Sequence, residues 1–191
     1  MQMRRSRILE ALRAGRPAIL TSLNLSDARA ADIAGWFPFE GVWLGMEHRP
    51  NTLEQIEQQV RAAKMHDLDA MVRVPKGGYS DLVLPLEMDA AGILVPHVMS
   101  ADEAREIAHY TKFHPVGRRP VDGGNADGAY CMLPLKDYLE QANRERFNAI
   151  QIEDPEPMEE LEEIAAVDGI DVLFFGPGDY SHGIGRPGET E

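Results

Sequence analysis

Short, uninterrupted apolar runs alternate with helix-like stretches through this chain, and that alternation constrains its fold more than any other feature. The runs are Ala18–Thr21, Val42–Met46, Ala70–Val74, Gly92–Val95, Ala149–Ile152 and Val172–Phe175. They are continuous and do not alternate apolar with polar residues, as expected of parallel strands covered on both faces. Helical spacing marks Ser6–Ala14, Asp27–Ala34, the Leu53, Ile56, Val60 and Ala63 face, Tyr79–Glu87, Ala101–Tyr110, Leu135–Arg144 and Met158–Val167. Strand–helix alternation at this spacing gives a (β/α)8 barrel or a doubly wound sheet. The glycine-rich stretch Val116–Gly128 is no Gly-x-Gly-x-x-Gly turn after a first strand, which weakens a dinucleotide-binding reading. A barrel needs a seventh strand between Pro115 and Leu135. The residues after Asp179 read as a loop with no closing element. Because a barrel typically takes about 250 residues, the expectation is a single α/β barrel domain over residues 1–191, a (β/α)8 TIM barrel lacking its C-terminal strand and helices.

Charge and cysteine content narrow the partners. A formal net charge of −13 argues against nucleic acid or an anionic membrane surface, and no apolar run reaches the roughly 18–20 residues of a membrane span. Met1–Arg7 is basic, but no apolar stretch follows, so no signal peptide is expected. The single cysteine, Cys131, excludes an internal disulfide and fits a reducing cytoplasm. It is expected to be a small buried hydrophobe and not a nucleophile.

Four strand ends carry polar groups: Glu47 and His48 after the second run, Arg73 within the third, Glu153 after Ala149–Ile152, and Asp179 after Val172–Phe175. That end of a parallel sheet is where barrel and open-sheet active sites are assembled. Each residue also has a plainer reading. His48 could be a capped loop histidine, and Glu153 and Asp179 could be helix caps. Arg73, among Met71, Val72 and Val74, must be paired with a structural carboxylate or an anionic ligand. Together the four ends describe a chemistry. Glu153 and Asp179 offer hard oxygen ligands to Mg²⁺ or Mn²⁺, and two carboxylates plus water accept Co²⁺ as well. Arg73 can stabilise an oxyanion or enolate. Backbone N–H groups of Gly176 and Gly178 can grip a carboxylate, and His48 can shuttle a proton. This set suits enolate chemistry on a 2-oxo acid. Lys76 is the only candidate for a Schiff base and is poorly placed for one.

The segments Leu9–Gly15 with its following strand, Trp43–His48 (WLGMEH), Val72–Pro75 (VRVP), Asp89–Pro96 (DAAGILVP), Gly117–Arg119 (GRR), Gln151–Glu153 (QIE) and Gly176–Ser181 (GPGDYS) occur in an order and spacing that resemble the HpcH/HpaI metal-dependent class II aldolases. The resemblance implies a (β/α)8 barrel, a divalent cation on Glu153 and Asp179, Arg73 near the enolate oxygen, and His48 as acid and base. It also implies Gln151 beside the metal and Gly178 on the substrate carboxylate. The implied reaction is reversible cleavage of a 4-hydroxy-2-oxo acid into pyruvate and an aldehyde through a metal-stabilised enolate. The implied assembly is a homo-oligomer, a hexamer, in which subunits exchange a C-terminal helix.

The chain departs from the family pattern in two places. An aspartate that often pairs with the histidine, three residues before it, is Gly45 here. A first-strand tryptophan near the pyruvate methyl is replaced by Thr21–Ser22–Leu23, which points to a wider or more polar pocket floor. Arg118 and Arg119 are either contacts to an acidic substrate tail or ordinary surface or interface arginines. The competing functions are a citrate lyase β-like acyl-CoA lyase and a non-catalytic barrel that binds metal and 2-oxo acid.

Overall fold

The apolar runs at the centre of the chain extend with both faces covered, while the first and last runs stay partly exposed. A computed structural model of the protein describes residues 2–190. Six strands, β1 (Leu20–Leu23), β2 (Gly41–Gly45), β3 (Asp69–Arg73), β4 (Gly92–Val95), β5 (Phe147–Ile152) and β6 (Val172–Phe175), pair in sequence order. Every pairing is parallel. They form one curled sheet, a half-barrel whose edges are β1 and β6.

Because side chains alternate across a strand, the sheet has two chemically distinct faces. Val42, Leu44, Ala70, Val72, Ile93, Val95, Ile150 and Ile152 point outward to a large core shared with the helices. Trp43, Met71, Leu94, Phe147 and Ala149 point inward, joined by Leu20, Val172 and Phe174. The inner face surrounds a cavity of about 360 Å³.

The helices are α1 (Arg7–Arg13), α2 (Ala28–Ala34), α3 (Leu53–Met65), α4 (Tyr79–Glu87), α5 (Ala101–Thr111), α6 (Leu135–Glu145), α7 (Leu161–Ala165) and α8 (Pro177–Gly183). Local capping sets several of their starts. Thr52 and Gln55 form a capping box on α3, and Ser100 caps α5. Ser6 caps α1, and its hydroxyl also donates to Asp69 at 2.6 Å. Asp69 accepts as well from Arg4 at 2.7 Å and from the Ile8 N–H at 2.9 Å. This fully satisfied carboxylate, at the amino end of β3, seats Ile8 and Leu9 under the inner face. No described helix is long and apolar enough to cross a membrane.

Four expectations need correction. No strand lies between Pro115 and Leu135; β4 pairs directly with β5, Gly92 opposite Phe147. The intervening chain is rich in glycine and proline and carries left-handed Ala129, Tyr130 and Cys131 in succession, so it turns where a strand would have to extend. Glu153 and Asp179 therefore follow the fifth and sixth strands. The expected helix Met158–Val167 is a 3₁₀ turn, Glu156–Glu160, followed by the five-residue α7. The residues after Asp179, expected as a loop, instead continue α8 as far as Gly183; the helix begins with Pro177 at its first position. Cys131 is exposed, at one of those turn positions, and is not buried.

Candidate functional site

The two-residue period of the strands selects which polar residues can meet. Trp43, Met71 and Ala149 are inner-face residues. Gly45, Arg73 and Gln151 lie two residues further on, and Glu47 and Glu153 four further on. The cavity itself is thus lined by apolar residues, and the polar residues gather beyond it at the carboxyl end of the sheet.

Glu153 is the centre of this end. It is 2% exposed. Its Oε1 accepts from the backbone N–H of His97 at 2.9 Å, and its Oε2 accepts from the Gln151 carboxamide. Burial pushes its carboxyl above the usual range; the His97 N–H pulls it back, and the nearby charges of Asp179 and Glu47 push it up again. Asp179 is the third residue of α8, exposed on the helix's first turn. Glu47 is 13% exposed and stands among three basic groups. Its Oε2 is 3.0 Å from Arg73 Nε and 3.5 Å from His48 Nε2, and its Oε1 is 3.8 Å from His97 Nε2. Arg73, which had to be paired, finds Glu47, and its guanidinium carbon lies 5.4 Å over the Trp43 ring. The Arg73 N–H is not aimed at the carboxylate, so Glu47 Oε2 and Arg73 Nε are both buried without a hydrogen bond, as is Gln151 Oε1.

Orphaned acceptors beside a buried carboxylate of raised pKa fit a cation at this place. Among the described residues no three His, Cys, Asp or Glu side chains converge as a ready-made metal cage. Two carboxylates with the remaining positions open to water and substrate are the arrangement that a Mg²⁺ site uses.

The structure brings Glu47, His48, Arg73, Gln151 and Glu153 to one end of the sheet. Gly176 enters by shape. Its N–H donates to Ile152 O at 2.9 Å and so is not free for a substrate carboxylate, contrary to expectation. A Cβ there would come within 2.6 Å of Glu153 Cβ and 2.9 Å of Gln151 Nε2. Gly176→Ala is therefore expected to displace Glu153 and lower both Tm and Mn²⁺ affinity, measured by calorimetry and by electron paramagnetic resonance (EPR) of free Mn²⁺. Unchanged affinity would show that Gly176 does not shape the site. Gly178 lies on the first turn of α8, where backbone N–H groups have no intrahelical acceptor.

Arg118 and Arg119 do not join the site. They follow α5, which runs back from the carboxyl end of β4. Arg118 is exposed, while Arg119 is 3% exposed, 2.7 Å from Asp127, and stacked 4.9 Å over Phe113. Tyr138 donates to the same Asp127 oxygen at 2.7 Å. Lys76 bonds the His97 carbonyl at 2.6 Å and pairs with Glu103, so it is held away from Schiff-base chemistry. His48 is 58% exposed with no partner at Gly45, whose added Cβ would meet only Arg49 Cγ at 3.4 Å. Aromatic surface in the cavity comes from Trp43 and Phe174, edge to face at 5.3 Å, in place of a first-strand tryptophan.

Two residues at the site were not singled out from the sequence. His97 follows Pro96 at the end of β4, and Asp154 follows Glu153. His97 Nδ1 is 2.8 Å from Asp154 Oδ2 and 3.7 Å from Glu153 Oε1. The hydrogen bond to Asp154, reinforced by the charges of Glu153 and Glu47 against partial burial, raises the histidine's pKa. Reading on past the proline would have found His97.

A curled parallel half-barrel sheet with an arginine, carboxylates and histidines gathered at the carboxyl ends of β2 to β5 defines an enzyme of the α/β class. The chain belongs to the HpcH/HpaI aldolase/citrate lyase family, which it matches over residues 19–191. It is 33% identical over 181 residues to a 4-hydroxy-2-oxo-heptane-1,7-dioate aldolase of Escherichia coli, covering 95% of this chain and 69% of the relative. It is 32% identical over 168 residues to a 2-keto-3-deoxy-L-rhamnonate aldolase of Klebsiella pneumoniae, covering 88% and 62%. The crystal structure of an HpcH/HpaI aldolase from Desulfitobacterium hafniense superposes with a TM-score of 0.87 at 28% identity, covering 96% of this chain and 71% of that one.

Proposed function

We propose that this chain is a divalent-metal-dependent aldolase that reversibly cleaves a 4-hydroxy-2-oxo acid into pyruvate, or a related 2-oxo acid, and an aldehyde. The observation that carries this reading is Glu153, buried with raised pKa beside Glu47 and Asp179. The family relatives, named as aldolases, support it over an acyl-CoA lyase. The half-barrel is read as part of a (β/α)8 barrel.

Glu153 and Asp179 are the residues that would hold Mg²⁺, Mn²⁺ or Co²⁺, and the bound cation supplies charge that polarises the 2-oxo oxygen. Gln151 fixes one oxygen of Glu153. The Gly178 N–H is the group in reach of the substrate carboxylate. His48 takes the proton of the 4-hydroxyl. The C3–C4 bond then breaks, its electron pair passes into the enolate, and the aldehyde leaves. Arg73, its guanidinium carbon 5.4 Å over the Trp43 ring, is the group that would stabilise the oxygen on which negative charge develops. Return of a proton to C3 completes pyruvate.

The test is exchange of the pyruvate methyl protons with D₂O, followed by NMR, which reads enolate formation without knowledge of the aldehyde. Exchange with Mn²⁺ or Mg²⁺ that stops on chelation is the expected result. No exchange in folded, Mn²⁺-loaded protein would overturn the reading.

A further inference from the structure

We infer that His97, held by Asp154, is a positioning residue of this carboxylate centre, setting the orientation of Glu153 on which cation binding depends. The inference rests on the metal-dependent reading above. Its first support is the backbone. His97 is left-handed, φ 51°, a conformation that costs most side chains energy and is tolerated best by Gly, Asn, Asp and His. That conformation accompanies the 2.9 Å bond from its N–H to Glu153 Oε1. The conformation is held from three sides. Lys76 Nζ donates to the His97 carbonyl at 2.6 Å, Val98 N–H donates to Gln151 O at 3.3 Å, and the ring bonds Asp154.

The second support is the ring. Nδ1 lies 2.8 Å from Asp154 and 3.7 Å from Glu153, and Nε2 lies 3.8 Å from Glu47. One imidazole therefore spaces the carboxylates that follow β2 and β5, which strand register alone does not bring together. Asp154 takes up Nδ1 and so fixes the ring plane. With Gln151 on the other oxygen, both oxygens of Glu153 are constrained before any ligand arrives. Outer partners of this kind shift metal affinity by about 10–100-fold.

The test is Mn²⁺ binding alone, by EPR of free Mn²⁺, on wild type, His97→Gly, His97→Asn and Asp154→Asn, each with a thermal unfolding curve. Glycine suits the left-handed backbone and keeps the N–H on Glu153, so His97→Gly isolates the ring without threatening the fold. It is expected to weaken Mn²⁺ binding about 10-fold with no loss of Tm. Asparagine also accepts this conformation and places an N–H donor where Nδ1 stands, so His97→Asn is expected to recover most of that affinity. Asp154→Asn is expected to weaken binding with the ring still present. Wild-type affinity in His97→Gly overturns the inference, as does His97→Asn binding as weakly as His97→Gly. Wild-type protein that binds no Mn²⁺ overturns the metal reading itself, and this inference with it.

Discussion

Glu153→Gln is expected to weaken Mn²⁺ binding by more than about 100-fold, beyond the range reached by loss of an outer partner, and to reduce pyruvate methyl exchange to background. The substitution keeps the side chain's volume and an acceptor for the His97 N–H, so the local bond at 2.9 Å can persist. What it removes is a charge that burial already disfavours and that Glu47 and Asp179 oppose. Folding therefore gains nothing from that charge. The same variant is expected to unfold at an equal or higher temperature than wild type near neutral pH, because a neutral carboxamide escapes desolvation and repulsion. The two signs together are diagnostic. A purely structural carboxylate, such as Asp69 with its three donors, would lose stability on neutralisation. Calorimetry and EPR of free Mn²⁺ on the same sample read both quantities. Wild-type Mn²⁺ affinity in Glu153→Gln, or full chelator-sensitive exchange, would remove Glu153 from the ligand set.

Arg73→Ala is expected to lower kcat for methyl-proton exchange by about 10²–10³-fold, the usual cost of deleting one donor to a developing oxyanion, with a smaller change in KM. Arg73→Lys is expected to recover little, since an ammonium cannot reproduce the planar guanidinium lying over Trp43 at 5.4 Å. A plainer role exists: Arg73 could serve only to balance Glu47, 3.0 Å away. The double variant Glu47→Gln/Arg73→Gln separates the two. If charge balance is all that matters, removing both partners restores exchange towards wild type; if Arg73 acts on the enolate, the double variant stays as slow as Arg73→Ala. Retention of kcat within a few-fold in Arg73→Ala would sink the assignment outright.

Much of the site was legible because its residues follow from a local rule. Arg73, Gln151 and Glu153 share one face since side chains alternate along a strand, and their apolar neighbours announce the strands. Gly176 is a different case. A glycine is needed beside Glu153 because a Cβ at that position would come within 2.6 Å of Glu153 Cβ, while its N–H, expected to be free, is absorbed by sheet pairing. Arg118 and Arg119 illustrate the limit. A GRR motif reads as basic and accessible, but Arg119 pairs with Asp127 under Tyr138, and no periodicity in Val116–Gly128 announces that burial. The seventh strand was inferred from barrel arithmetic, and the direct pairing of Gly92 with Phe147 leaves no place for it.

From the sequence by itself came the six parallel strands, the helices between them and the carboxylates at the strand ends, because continuous apolar runs and capping residues report each segment's own surroundings. The tertiary structure alone decided that His97 and Asp154, 57 residues apart, share a hydrogen bond, that Glu47 answers Arg73, and that Gly45 leaves His48 exposed. Those contacts depend on how far each strand slides against its neighbour and how tightly the sheet curls. Both are set by packing between segments distant in the chain, which no local pattern encodes.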